Sequence, residues 1–588
     1  MSSVQAFRNT WWYLYIVLLY ISTAVATKRE YVLNITSFKT EQGRSLISVN
    51  NSNNTIGPTL RVAPGDDVHV LVNNFYDEST AIHFHGLVFD NGNSDTETVS
   101  NGYDGVPGVT QLPIEPGYGF WYNFTVPHST CGTFWYHSHS SVQYGEGLRG
   151  VVIVDCKAMN RHIKDVISPS RTVREEIITL SDWYKVPHNE LLEALWEKAG
   201  STDPRVEGSL FNGSEANGMQ IPVQDLNADA YLKLRLINMA MSSTQVFHIE
   251  NHEMIIVEAD GILVKPWTTK TLTLAVGQRY TVLVKLDPSK SNSRIIHASN
   301  KMMGYITKTH WLAYNHNITS RDDDFPSTNV KYLPDFTRRE LYKHLEPLDR
   351  SILPAPVQRL SLDYYFDKSA STLEKYHSGM YLVNSTTLDE YTPDSNSSAL
   401  LHGAVSRRPP IALPYNITVE VALNSVDHMT HPWHLHGHSF QLISLGLSNG
   451  GPLHWDVTVS PAYKKYTRDL HFWETSSQVP MTRDSINIPG HSYAVVRFQT
   501  DNPGYWLLHC HVDWHMAKGL GVVFKEGIDE ITTQKFPATF KVGSTGHTTL
   551  SPAPKAPTVT ISHEKIKVLS IYTLIMCLIN YAYYVLIM

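Results

Sequence analysis

The sequence predicts an all-β protein built from three consecutive β-sandwich domains. Alternation is the first sign: Ile417, Val419, Val421 and Leu423 interleave with Thr418, Glu420 and Ala422, the period of a half-buried strand. Punctuation is the second. Strand-like runs such as Leu272-Thr273-Leu274 and Val282-Leu283-Val284 are short, and turn formers break them throughout a chain with 34 Gly and 31 Pro. The third is recurrence, since a Pro-Gly-Asp-Asp turn at 64–67 and a Val-Gly-Gln-Arg turn at 276–279 each lie between strand-like runs, as in a repeated sandwich unit.

At about 150 residues per domain, 588 residues accommodate three or four such units. Residues 1–26 set Arg8 before an apolar run from Trp11 to Ile21 and end in Ala24-Val25-Ala26, the pattern of a cleaved signal peptide, so the mature chain begins near Thr27. The first domain then covers 27–156 and the second 157–345, the latter with one local helix, Asn189–Lys198, whose Leu191, Leu192, Leu195 and Trp196 form a stripe. The polar stretch Ser320–Arg350 reads as the linker into the third domain, 346–535. A second linker, 536–567, carries Ser551-Pro552-Ala553-Pro554 and precedes 21 uncharged residues, 568–588, enough for one bilayer span at about 20 residues. Lys565 and Lys567 lie before that span and nothing basic follows it, the reverse of the charge bias for a lumenal domain. A removed lipid-anchor signal is therefore the alternative. Nine Asn-x-Ser/Thr sequons, at Asn34, Asn50, Asn53, Asn123, Asn212, Asn317, Asn384, Asn396 and Asn416, fit a glycoprotein of the secretory pathway, at the cell surface or on an endomembrane.

The 42% apolar and 18% charged composition argues against a chain disordered throughout and against a polytopic membrane protein. A net charge of −7 leaves no basic field for nucleic acid. Histidine is out of proportion, at 29 residues, and much of it is clustered: His83-Phe84-His85, His137-Ser138-His139, His431-Pro432-Trp433-His434-Leu435-His436, and His509-Cys510-His511 followed by His515. On a strand, residues i and i+2 share a face, so each His-x-His aims two imidazoles at one point. Four such pairs supply eight nitrogens for metal. In the last cluster Cys510 points away from His509 and His511, so one strand serves two sites. A thiolate with two imidazoles is the ligand set of a blue-copper centre, with His431 and His515 left to complete it. Zinc also accepts thiolate and imidazole, usually in a closed site or with one water. Eight further imidazoles beside it suit a copper cluster better, and the Cys510 backbone offers electrons a short covalent route to His509 and His511.

The motifs His-Phe-His-Gly, Trp-Tyr-His-Ser-His, His-Pro-Trp-His-Leu-His-Gly-His and His-Cys-His-Val-Asp-Trp-His resemble those of the multicopper oxidase family over roughly residues 30–530. The resemblance implies three cupredoxin-like Greek-key domains and four coppers, with dioxygen reduced to water between the first and third domains. Carried over, the type 1 ligands are His431, Cys510 and His515. The type 2 copper takes His83 and His434, and the type 3 pair takes His85, His137, His139, His436, His509 and His511. Asp104 and Asp513 match the family's acids near the cluster and imply proton delivery to oxygen. Leu520, ten residues after Cys510, stands where relatives carry an axial Met or an apolar substitute, which raises the type 1 potential; Met516 is read as packing.

Cys131 and Cys156 bracket two strands that, if antiparallel neighbours, bring the sulfurs together; disulfide and free thiols both stay open. Cys577 lies in the tail. For the reductant, the resembled fungal cell-surface ferroxidases place one carboxylate four residues before the first type 1 histidine, here Asp427, and another in the second domain, here Asp203 where the family has Glu. Fe(II) is the expected substrate, and a tethered ferroxidase implies a membrane iron permease as partner. Glu207 falls where laccases place the acid that receives a phenolic proton, so a laccase-like oxidase of phenols or aromatic amines is the alternative. A non-catalytic copper-binding protein is the alternative of another class.

Overall fold

The computed structural model describes residues 27–542 apart from 42, 53, 90–99, 199–202, 228, 288–291, 302–303, 315–328, 337–340, 395–397 and 528–537. The signal peptide, the 568–588 tail with Cys577, and the sequons at Asn53, Asn317 and Asn396 lie outside these residues, as does part of each expected linker. Among the described residues no helix is long and apolar enough to cross a membrane.

Six sheets follow one another in pairs along the chain. A five-stranded sheet (Lys28–Lys39, Ser45–Val49, Asp67–Asn74, Tyr118–Thr125, Phe540–Lys541) packs on a four-stranded one (Leu60–Val62, Ile82–His85, Gly132–Ser138, Arg149–Val154). Leu33, Val70 and Phe120 of the first meet Phe84, Phe134 and Val152 of the second in one core. Two further pairs, each of six and five strands, are built from residues 173–313 and 358–526. The Pro-Gly turn at 64–65 has Gly65 at φ 84°, a conformation that favours glycine. The strand Phe540–Lys541 pairs with Tyr118–Gly119, so chain read as linker returns to the edge of the first sheet. Two residues are too few to show periodicity.

Packing overrides local pattern in two places. The strand Thr418–Ser425 is buried on both faces. Its outward Ala422 lies under a helix, Pro461–Thr475, through Ala462, Tyr466 and Trp473. Glu420 on the same face is held by Arg497 at 2.6 and 2.9 Å and by Tyr466 Oη at 2.7 Å. The expected local helix is present as His188–Glu197 with Leu195 buried, but Pro461–Thr475 and Lys157–Ile167 are longer. Cys131 and Cys156 form a disulfide, because Gly132–Ser138 and Arg149–Val154 are antiparallel neighbours with Gly132 opposite Val154.

Candidate metal centre

Antiparallel pairing sets His431–Leu435 beside Gly504–Cys510, with Trp433 opposite Cys510 and His434 opposite His509. The strand's alternation therefore sends Cys510 to one side and its flanking histidines to the other. On the first side, His515 from the helix Asp513–Ala517 joins His431 and Cys510. Cys510 Sγ lies 3.6 Å from Nδ1 of both histidines, and the two Nδ1 atoms are 3.1 Å apart. These spacings suit three ligands around one ion at roughly 2.0–2.3 Å. Burial opposes ionisation of the Cys510 thiol, but His431 and His515 bring it down to about 7.

Both imidazoles are gripped from outside. Nε2 of His431 lies 3.0 and 3.1 Å from the Asp427 carboxylate, and Nε2 of His515 lies 2.6 Å from Asp203 Oδ2. Burial disfavours the charged ring of His515, yet Asp203 lifts it to about 10. Glu207, four residues after Asp203, is exposed and accepts a hydrogen bond from the Lys185 amide at 2.9 Å. Leu520 is buried and its carbonyl accepts from the Cys510 amide at 3.1 Å, while Met516 is half-buried. Tyr381, unmarked by any sequence motif, packs its ring 4.8 Å from His515 and 5.6 Å from His431.

On the other side of the strand the remaining eight histidines converge in three groups, the first two sharing His85: His83, His85 and His434; His85, His137 and His511; His139, His436 and His509. All are buried. Nδ1 of His83, His137, His434 and His509 donates to the carbonyls of Asp104, Ser138, Asp484 and Cys510 at 2.7–3.0 Å. Those bonds fix the proton on Nδ1 and turn the Nε2 lone pair inward. Nε2 of His83, His137, His139 and His434 has no partner among the described residues. His436 donates from Nδ1 to Asp104 Oδ2 at 2.9 Å, so its Nε2 meets that of His509 at 3.2 Å with no proton between them. Two lone pairs so close repel unless a cation lies between. Burial and neighbouring imidazoles push His139 and His511 down to about 3 and the others of the cluster named here, His85, His137, His434, His436 and His509, well below the usual range. Neutral imidazole is the metal-binding form.

Asp104 spans two groups, with its second oxygen 3.3 Å from His83 Nδ1. Asp513 is buried, with one oxygen lacking a partner among the described residues; burial, then Asp182 and Cys510, push its carboxyl well up. It neighbours Tyr144, whose ring lies 4.9 Å from His137. The sequence reading missed Asp484, which lies behind His85 and His434; only its place after Thr482-Arg483 in a strand-edge run marks it in the chain.

Three multicopper oxidase family profiles match this chain, over residues 34–159, 174–317 and 365–530. The chain belongs to the multicopper oxidase family. It is 39% identical to GMC1 of Saccharomyces cerevisiae over 98% of both chains. It is 31% identical to the iron transport multicopper oxidase FET3 of the same yeast, over 81% of this chain and 72% of that one. Among solved structures it is similar to Fet3p, a multicopper oxidase that functions in iron import, with a TM-score of 0.65 and 26% identity over 86% of this chain and 93% of that one. The laccase of Botrytis aclada matches with a TM-score of 0.67 and 25% identity, over 86% of this chain and 89% of that one. The fold is therefore the cupredoxin-type β-sandwich array expected. Multicopper oxidases bind four coppers, and the thiolate–imidazole triad and eight-imidazole cluster suit them in donor type and spacing.

Proposed function

We propose that the chain oxidises Fe(II) one electron at a time at the outer face of the His431–Cys510–His515 pocket and reduces dioxygen to water at the eight-histidine cluster. The observation that carries the substrate is the pair of carboxylates, Asp427 and Asp203, bonded to the outward nitrogens of both pocket histidines. Hard oxygen donors bind iron and prefer Fe(III) to Fe(II), which favours electron loss. Each Asp–His hydrogen bond then joins a carboxylate-bound ion to the pocket in a few atoms. Asp203 in place of Glu still reaches His515, so the shorter side chain does not break this contact.

His431, Cys510 and His515 would hold the type 1 copper, His83 and His434 the type 2, and the other six histidines the type 3 pair. Bound copper supplies the redox chemistry. The chain's own part is to hold cluster imidazoles neutral, to shift Asp513 towards its protonated form as a proton source beside Tyr144, and to place Asp104, the second proton carrier, on the Nδ1 side of His83 and His436. Relatives named iron transport multicopper oxidases support the iron reading, and we extend it to a cell-surface ferroxidase tethered by its C-terminus beside an iron permease. The likeness to a laccase keeps phenol oxidation as the second reading.

Steady-state kinetics on the Asp203→Ala/Asp427→Ala enzyme test the substrate. We expect kcat/KM for Fe(II) to fall about 10–100-fold, with oxidation of a neutral phenylenediamine retained. Unchanged Fe(II) oxidation, or impairment confined to Glu207→Ala with phenols, gives the site to organic reductants.

A further inference from the structure

Among the described residues the middle domain supplies no histidine to the cluster, yet one of its turns reaches the cluster from behind. Val276-Gly277-Gln278-Arg279 links the strand Thr271–Leu274 to Arg279–Lys285. Gly277 has φ +82°, and a Cβ there would lie 2.7 Å from His85 Cε1 and 3.2 Å from His511 Cδ2. Only a residue without a side chain fits against these two rings. Next to it, Gln278 Nε2 donates to the Ser485 carbonyl at 3.0 Å. Arg279 then clasps Asp484 with two bonds, at 2.8 and 2.7 Å, and its Nε donates to Thr133 of the first domain at 3.0 Å.

The residues so held are those that orient cluster histidines. The Asp484 carbonyl accepts from His434 Nδ1 at 2.9 Å, and its carboxylate lies 3.4 Å from His85 Nε2. Ser485 Oγ stands 3.3 Å from His85 Nε2 and 3.2 Å from His434 Nδ1. A second fork, Arg483 on Asp260 at 2.6 and 2.9 Å, anchors the same segment to the middle domain. Buried ion pairs add little net stability, because desolvation offsets their attraction. What a guanidinium fork supplies is a fixed plane and angle for the carboxylate it holds.

We propose that Gly277, Gln278 and Arg279 form the positioning element of the eight-histidine cluster, acting through Asp484 and Ser485 on His85 and His434. The inference rests on the ligand assignment proposed above. It also gives the middle domain a role at the metal: the domain sets the backs of imidazoles that the outer two domains contribute.

The test uses the copper-loaded, full-length enzyme with Arg279→Gln, Arg279→Lys and Gly277→Ala. Copper affinity is read by chelator competition, the cluster by the type 2 EPR signal and type 3 near-ultraviolet absorption, and the thiolate site by its blue band. We expect cluster affinity to fall about 10–100-fold in both Arg279 variants, with altered type 2 spectra and an unchanged blue band. Lys keeps the charge without the fork, so it should behave as Gln does. Gly277→Ala should lose the type 3 absorption first; if it does not fold, the Arg279 pair decides. Native spectra and affinity in Arg279→Gln, full rescue by Lys, or loss of the blue band in step with the cluster would overturn the proposal. A wild-type enzyme without cluster copper would instead sink the ligand assignment itself.

Discussion

The thiolate pocket and the eight-histidine cluster use the same side chain in opposite orientations, His85 excepted, whose Nδ1 faces His511 and whose Nε2 faces Ser485. In the pocket, His431 and His515 turn Nδ1 inward and hand Nε2 to Asp427 and Asp203 near the surface. In the cluster, His83, His137, His434 and His509 do the reverse, backing Nδ1 against main-chain carbonyls and aiming Nε2 at one another. A carboxylate on the outer nitrogen makes the first site responsive to what arrives from solvent. A carbonyl on those four fixes the tautomer without bringing charge, and the carboxylates that do back the cluster, Asp104 on His436 and Asp484 beside His85, are buried. The contrast separates an electron-receiving site from an oxygen-reducing one before any metal is considered.

The most severe way to break this contrast is Cys510→Ser. The blue band should vanish and turnover fall below detection, while copper analysis still finds the cluster ions; loss of all four coppers together would mean the two sites are not independent. Next in size, Asp104→Ala or Asp513→Asn should slow reoxidation by dioxygen about 10²-fold in stopped flow and leave the blue band in place. An equal rate in the Asp513 variant would confine that residue to packing. Leu520→Met sharpens the comparison on the pocket side alone. A thioether that favours the oxidised ion should lower the pocket's potential by about 59 mV for each tenfold preference, with the type 2 signal unchanged in the same redox titration.

The smallest effect serves as a control away from both sites. Burial pushes Glu175 up, but Arg235, Lys233 and Arg61 more than reverse this and bring it to about 2. With a folded value below the unfolded one, Glu175 stabilises fully above pH ~4.5 and loses that contribution as pH falls towards 2. Glu175→Gln should therefore cost about 2–3 kcal/mol at neutral pH, and the gap in denaturant midpoint should close in acid. Neither copper spectrum should move. A spectral change would show that this network is coupled to the metal sites.

Much of the site was legible along the chain because strand geometry is local. In His-Cys-His the two-residue period alone puts Cys510 opposite His509 and His511, and in the other clusters it pairs imidazoles on one face. For Cys131 and Cys156 the sequence left disulfide and free thiols open, and the antiparallel pairing of their strands decides for the disulfide. Where the reading failed, a distant element had intervened. Glu420 and Ala422 alternate as a solvent face should, but the Pro461–Thr475 helix covers them. Tyr381 and Asp484 carry no motif, since their neighbours are far away in sequence.

By itself, then, the sequence determined the donor set, the β-sandwich class and which histidines travel in pairs, all consequences of side-chain chemistry and a two-residue period. Only the tertiary structure decided which pairs meet, which nitrogen each ring turns inward, that Asp203 rather than Glu207 reaches His515, and that a turn of the middle domain lies against His85 and His511. Several of those choices depend on groups brought up from another domain: Asp104 on His436, Asp203 on His515, and the bare Cα of Gly277 against His85 and His511. No local pattern encodes these partners, because the contacts form only when the sheets have packed, whereas His137 and His509 find their carbonyls on the next residue.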